Sequence, residues 1–167
     1  VIITAKNPAA HEALSRQFHD RTVRKLYLAI VRGGPRADSG RVDAALARSR
    51  ADRQRFTVVS TGGRRSVTDW KVLRRWEACS LVLLAPRTGR THQLRVHLRH
   101  LGCPVLGDPL YGGADRRFAD ATLMLHAWRL RLVLPGETLP REFRAPLPDR
   151  FRSLLQGLGP AGRRARD

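Results

Sequence analysis

Apolar positions recur along this chain with two different periods, and the places where the period changes mark its elements. Ala9, Ala10, Ala13, Leu14 and Phe18 fall at helical spacing. Asn7 stands where an N-cap belongs and Pro8 where a first helical turn tolerates it, so the pattern predicts a short helix ending near Phe18. Leu26-Tyr27-Leu28-Ala29-Ile30-Val31 is a compact apolar run halted by Gly33-Gly34-Pro35, which predicts a strand. Two further strands are predicted over Ser66–Leu73 and Cys79–Ala85, with a turn at Arg74-Arg75-Trp76-Glu77. A helix starts after Thr88 or Thr91 and ends at Gly102, with Pro104 just beyond. Leu123–Leu134 alternates toward another strand, closed by Pro135-Gly136.

Three segments carry weaker patterns. Val1-Ile2-Ile3-Thr4-Ala5 reads as a strand met without lead-in, so the chain is expected to be cut from something longer. Between Arg36 and Arg65 the sequence is polar and irregular and predicts loops. From Gly157 onward Gly, Pro and Arg dominate, so one domain over 1–155 and a frayed tail over 156–167 are expected. Strands grouped without regular βαβ alternation predict an α+β fold, a mixed, largely antiparallel sheet with flanking helices.

Composition sharpens the picture. Hydrophobic residues make up 42% of the 167, enough for a packed core. No stretch reaches the roughly 18–20 consecutive apolar residues of a membrane helix. Two cysteines, Cys79 and Cys103, cannot build a disulfide framework, so a reducing, cytoplasmic setting is expected. The formal net charge is +18, and all the basic residues but Lys6, Lys25 and Lys71 are arginine. A GC-rich genome favours Arg over Lys, but it does not explain the excess of Arg over Asp and Glu. Such a field draws polyanions, and Arg both stacks on bases and grips phosphate with two parallel bonds. RNA is therefore the expected partner, with no membrane and one copy of the chain per particle.

The densest chemistry lies between Arg87 and Tyr111. On a helix there, His92, Arg95 and Arg99 share one face, while Leu94, Leu98 and Leu101 share another that would be buried. The helix start offers free N–H groups to an anion. A solvated basic face is the plainer explanation, set against Gly89 and the mixture of polar types. His92, His97 and His100 do not fall on one helical face, and no Cys-x-x-Cys or His-Glu-x-x-His pattern accompanies them, so no metal is expected. No Gly-x-Ser-x-Gly elbow supports a hydrolase.

The stretch from Gly89 through His97, Gly-Arg-Thr-His-Gln-Leu-Arg-Val-His, followed by Gly107-Asp108-Pro109-Leu110-Tyr111-Gly112, resembles the third motif of RluA-type pseudouridine synthases. Lys25-Leu26-Tyr27-Leu28-Ala29 resembles their Tyr-bearing strand. Ala5-Lys6-Asn7, Gln17-Phe18 and Leu125-His126-Ala127 follow in matching order. The resemblance runs from Val1 to about Leu155. It implies the C-terminal part of a catalytic domain that isomerises uridine to pseudouridine in rRNA or tRNA without cofactor.

The resemblance also implies roles. Arg95 would pair with a nucleophilic aspartate, Tyr27 would lie against the target base and handle a proton at C5, and Leu125 would wall the base. Arg90, Thr91, His92 and Gln93 would shape the cleft. From its own residues alone, Tyr27 reads as a core tyrosine in a strand by roughly two to one, and the plainer reading of Arg95 is a surface helix charge. In the family the nucleophile lies in a His-Arg-Leu-Asp-x-x-Thr-Ser-Gly motif, and none of the ten aspartates here stands in that context, Asp108 included. Arg95 is accordingly expected to be an unpaired cation, and the chain alone inactive. Three functions thus stand open: a synthase, a non-catalytic RNA-binding protein using the same cleft, and a metal-dependent hydrolase, which the histidine spacing disfavours.

Overall fold

In a computed structural model, which describes residues 1–160 and the backbone of 163–164, the chain forms one antiparallel sheet with three α-helices. The strands are β1 (Arg24–Arg32), β2 (Ser39–Arg48), β3 (Phe56–Val59), β4 (Arg64–Arg75), β5 (Cys79–Pro86), β6 (Leu125–Val133), β7 (Pro140–Arg144) and β8 (Arg163–Arg164). Their spatial order is β3-β2-β4-β5-β1-β6-β7. β2 pairs along Arg64–Lys71 of β4, and β8 pairs at Arg74 and Arg75. Since β5 also pairs through Arg75, β8 continues the β2 edge. The α+β class is as expected, and among the described residues every strand pairing is antiparallel.

β1 lies between β5 and β6, and Leu28 through Val31 are buried on both faces of the sheet. That is why they form a continuous apolar run rather than an alternating one. The helix over Pro8–His19, α1, starts where predicted, with Asn7 Oδ1 accepting the Ala10 N–H at 2.8 Å. Its Leu14 packs with Val23, Leu130 and Leu132 in a small cluster beside the main core. The helix α3 (Asp149–Gly157) seats Phe151, fully buried, in that main core.

Several expectations are corrected. Val1–Ala5 has no ladder partner and is not a strand. Val1, Ile3 and Ala5 still pack against the Leu14 cluster, so the alternation that suggested a strand is real burial without sheet hydrogen bonds. The region 36–65 is not a set of loops: it holds the β2–β3 hairpin, paired from Ala45↔Val59 to Arg48↔Phe56. This hairpin covers an exposed margin, so its polar residues outnumber its apolar ones and hide the period-2 signal. β7 and α3 also form where no element was predicted. Of the tail, residues 156–157 close α3 and 163–164 pair with β4, while 161, 162 and 165–167 lie outside the described residues.

The helix of the dense motif, α2, is shorter than predicted, spanning Gln93–His100. Residues 87–92 precede it as a loop, and His92 takes a left-handed conformation at φ 55° as the N-cap. The C-terminus follows the sequence signal closely. Gly102, at φ 77°, donates to Arg99 O, and Cys103 donates to Leu98 O, a Schellman closure that only a left-handed position allows.

A buried polar chain ties α2 and its loop to β4. The Gln93 amide accepts from Thr88 Oγ1 at 2.7 Å and from the Arg90 N–H at 3.0 Å. It donates to Val67 O and Thr68 Oγ1, both at 3.0 Å. Thr68 Oγ1 in turn meets His97 Nδ1 at 2.9 Å. Gln93 therefore has all four amide positions satisfied inside the protein. His97 is 1% exposed, and burial first, then the neighbouring His100, pushes its pKa down to about 4.

Because the unfolded chain binds a proton near pH 6.5 and the folded one does not until about 4, stability contributed by neutral His97 is present above 6.5 and lost as pH falls through that window. Urea unfolding at pH 7 and pH 4.5 should show a loss on the order of 1–3 kcal/mol that shrinks in His97→Gln. Equal losses in the two proteins would assign the acid sensitivity elsewhere.

Candidate active site

Three distant segments meet at one cleft of about 260 Å³. β1 contributes Lys25 and Tyr27, the loop and first turn of α2 contribute Thr88 through Arg90 and His92 through Arg95, and β6 opens with Leu125. The cleft thus gathers Tyr27, Arg90, His92, Gln93, Arg95 and Leu125. Thr91 alone among the predicted site residues stays outside it, exposed on the loop. The sheet explains the meeting: β1 pairs β6 with Tyr27 opposite Ala127, and the register shift between Leu26 and Tyr27 is a local irregularity that re-aims the side chains there.

Arg95 does not stand unpaired. Its Nε donates to Asp108 Oδ2 at 2.7 Å and its Nη2 to Oδ1 at 2.5 Å, a fork-to-carboxylate pair. The Asp108 side chain is fully buried and also accepts the N–H groups of Leu110 (2.9 Å) and Tyr111 (3.0 Å). Burial opposes its charge, but Arg95 and those amides outweigh burial and hold the carboxyl below the ordinary range. The same pairing raises the Arg95 pKa. Asp108 reaches Arg95 because Gly107, at φ 67°, turns the chain beneath the carbonyls of Ala121 and Thr122, where a Cβ would collide.

Tyr111, which sequence reasoning gave no role, organises the other side. Its hydroxyl accepts the Phe56 N–H at 2.8 Å and meets His92 Nδ1 at 2.9 Å. The same hydroxyl can donate to Nδ1 of a neutral His92 protonated at Nε2 or accept from an Nδ1–H, so either tautomer of the neutral ring keeps the contact. Burial first, then the Arg95 charge, lowers the His92 pKa and favours that neutral form. The Arg95 guanidinium lies 4.9 Å from the Tyr111 ring centroid, and the His92 ring meets Phe56 and Tyr111 edge-on. The left-handed backbone of His92 persists because these contacts fix its ring.

The chemistry available follows from burial and charge. Burial raises the Tyr27 pKa, so its hydroxyl keeps its proton at neutral pH and is available as a hydrogen-bond donor. Lys25 lines the same cleft and is also pulled toward its neutral form by burial. It was passed over in the sequence, although its position two residues before Tyr27 on a strand places both on one face. The cleft is cationic and aromatic, and no carboxylate among the described residues lines it. Among the described residues no group of three or more His, Cys, Asp or Glu side chains gathers to hold a metal. Cys79 and Cys103 are buried, with thiols pushed up to about 11 by desolvation.

Known proteins share this architecture. A family model described as RNA pseudouridylate synthase matches residues 1–100. Ribosomal large subunit pseudouridine synthase D of Borreliella burgdorferi is 37% identical over 151 residues, 90% of this chain and 46% of that protein. An uncharacterized RNA pseudouridine synthase of Bacillus subtilis is 40% identical over 159 residues, 95% of this chain and 52% of that one. The chain thus spans about half the length of these curated relatives. The solved structure of human RNA pseudouridylate synthase domain containing 1 superposes with a TM-score of 0.73 at 32% identity, covering 98% of this chain and 76% of that one. With its motif residues drawn from β1, α2 and β6 into a single cleft, and with the family model matching along its first 100 residues, this chain belongs to the RluA-type RNA pseudouridine synthase family.

Proposed function

We propose that this chain forms the base-holding part of a site that isomerises uridine to pseudouridine in RNA. The observation that carries the reading is the convergence of Tyr27, Arg95 and Leu125 from three separate segments on one cleft large enough for a base. The relatives named for the ribosomal large subunit make ribosomal RNA the first substrate to try. In the isomerisation the bond from N1 to C1′ breaks and one from C5 to C1′ forms. A proton leaves C5, and N1 ends with one. Tyr27, neutral and half-buried, suits the proton step and gives the ring an aromatic face. Leu125 supplies an apolar wall, and Gln93, its amide wholly engaged, shapes the loop rather than contacting the base.

Covalent assistance needs a carboxylate. Asp108 is committed to Arg95 and two amides, and the cleft holds no other acid. The reaction therefore requires a carboxylate that is not among the described residues lining the cleft. Arg95 can receive it, because the pair with Asp108 uses Nε and Nη2 but not Nη1. A site without that carboxylate still binds RNA, which is where the non-catalytic reading remains useful.

Three outcomes check this. The 167-residue chain incubated with unmodified total RNA should form no pseudouridine, whereas a longer chain carrying a His-Arg-Leu-Asp-x-x-Thr-Ser-Gly segment should. Product from the short chain would mean that another residue is the nucleophile. In the longer chain, Tyr27→Phe should preserve thermal stability and RNA affinity while lowering turnover by roughly 10²-fold or more, the usual weight of a general acid or base. Full activity would return Tyr27 to the role of a packing residue. Arg95→Ala leaves Asp108 buried without its partner and should cost about 3–5 kcal/mol, so Arg95→Lys is the informative change. Lys keeps the charge but not the fork, and turnover should drop steeply in a protein that still melts cooperatively.

A further inference from the structure

A second cavity, of about 380 Å³, is lined by Tyr111, the partner of the cleft residue His92. Arg32 from the end of β1, Arg55 from the β2–β3 hairpin and Arg99 from the last turn of α2 all line it. Its remaining walls are apolar side chains and the glycine backbone of Gly102, Gly112 and Gly113, and no carboxylate lines it. Neither the Arg32 nor the Arg99 side chain makes a hydrogen bond or ion pair among the described residues. Arg55 Nε sits 2.9 Å from Asp52 Oδ2 without hydrogen-bond alignment and is otherwise buried and unpartnered.

Arg32 also lines a neighbouring cavity of about 460 Å³ together with Arg116. Two acids border that second space, but Asp108 is held by Arg95 and Asp115 by both Arg117 Nε and Nη2. The two cavities share Arg32, Gly112 and Gly113, so they form one groove whose uncommitted charges are all positive.

Arg32 and Arg99 face this space without an ion-pair partner, beside an Arg55 that Asp52 only partly offsets, and an anion between them relieves their repulsion. Planar forks and bare glycine backbone match the tetrahedral oxygens of a phosphate better than a flat base. Tyr111 links this cavity to the cleft, since it lines the cavity while its hydroxyl bonds His92 of the cleft. Resting on the reading of that cleft as an RNA-modifying site, we infer that the Arg32–Arg55–Arg99 cavity takes a backbone phosphate of the same RNA strand, close to the nucleotide held in the cleft. The neutralised phosphate anchors the strand while the base leaves its stack, a step costing a few kcal/mol.

The test measures affinity for a uridine-bearing RNA stem-loop across a range of salt, using the 167-residue chain. Arg32→Gln/Arg99→Gln is compared with Arg21→Gln/Arg36→Gln, which removes the same charge from two exposed residues bordering neither cavity. The first variant should bind at least fivefold more weakly than the second, with a log–log salt slope smaller by roughly 0.7–0.9 per lost phosphate contact. Arg99→Gln alone, a change on the helix surface, should show part of the same loss and guards against a folding defect in the pair. Equal behaviour of the two double variants overturns the inference and leaves the cleft reading standing. A wild-type chain that binds no RNA overturns both. Inorganic phosphate protecting the wild type but not Arg32→Gln/Arg99→Gln against thermal unfolding, with RNA affinity unaltered between them, would assign the cavity to free phosphate and overturn the inference as well.

Discussion

The forked pair between Arg95 and Asp108 is the contact around which the functional half of this molecule is built. It joins the first turn of α2 to the turn at 107–111, and both partners are almost out of solvent, 12% and 0% exposed at their side chains. Such a pair contributes little net stability when compared with apolar packing, but removing one member is expensive. Its value here is geometric. Asp108 collects the amides of Leu110 and Tyr111 as well, so one carboxylate fixes the arginine, the turn and the tyrosine in a single arrangement. Tyr111 then fixes His92 on one side and the β2–β3 hairpin, through Phe56, on the other.

A second constraint works at right angles to the first. Gln93, Thr68, Thr88 and His97 form a buried polar chain between α2 and β4, and every amide position of Gln93 is used. Partly satisfied networks of this kind cost more than an apolar core, so the loop over 87–92 has one low-energy shape rather than several. The loop carries Arg90 into the cleft and leaves Thr91 in solvent, which separates two neighbours in sequence that share a motif.

The charge of the chain acquires direction only in three dimensions. Many carboxylates are consumed locally, Asp69 by Arg41 and Arg87 and Asp43 by Arg65. These exposed pairs add little stability, but they cancel field on the β2–β4 surface. Among the arginines without an acidic partner, Arg32 and Arg99 line one cavity together.

Local signals in the sequence determined the elements that depend on neighbours along the chain. Asn7 and Pro8 start α1, Gly102 and Pro104 stop α2, and the run from Leu26 to Val31 is the central strand, because caps and burial periods are set within a few residues. The motif resemblance also singled out Tyr27, Arg95 and Leu125 before any fold was known. Tertiary structure decided the rest. The hairpin over 39–59 forms because β4 offers it an edge, which no local pattern announces. The partner of Arg95 was invisible, since Asp108 lies thirteen residues away beyond a helix end and a glycine turn. Val1, Ile3 and Ala5 alternate like a strand yet form no ladder, with only the Val1 ammonium donating to Ala127 O, because alternation reports burial and a ladder requires a neighbouring edge. Periodicity along a chain fixes which side of an element is buried, but which groups meet across the core depends on the closure of the whole sheet.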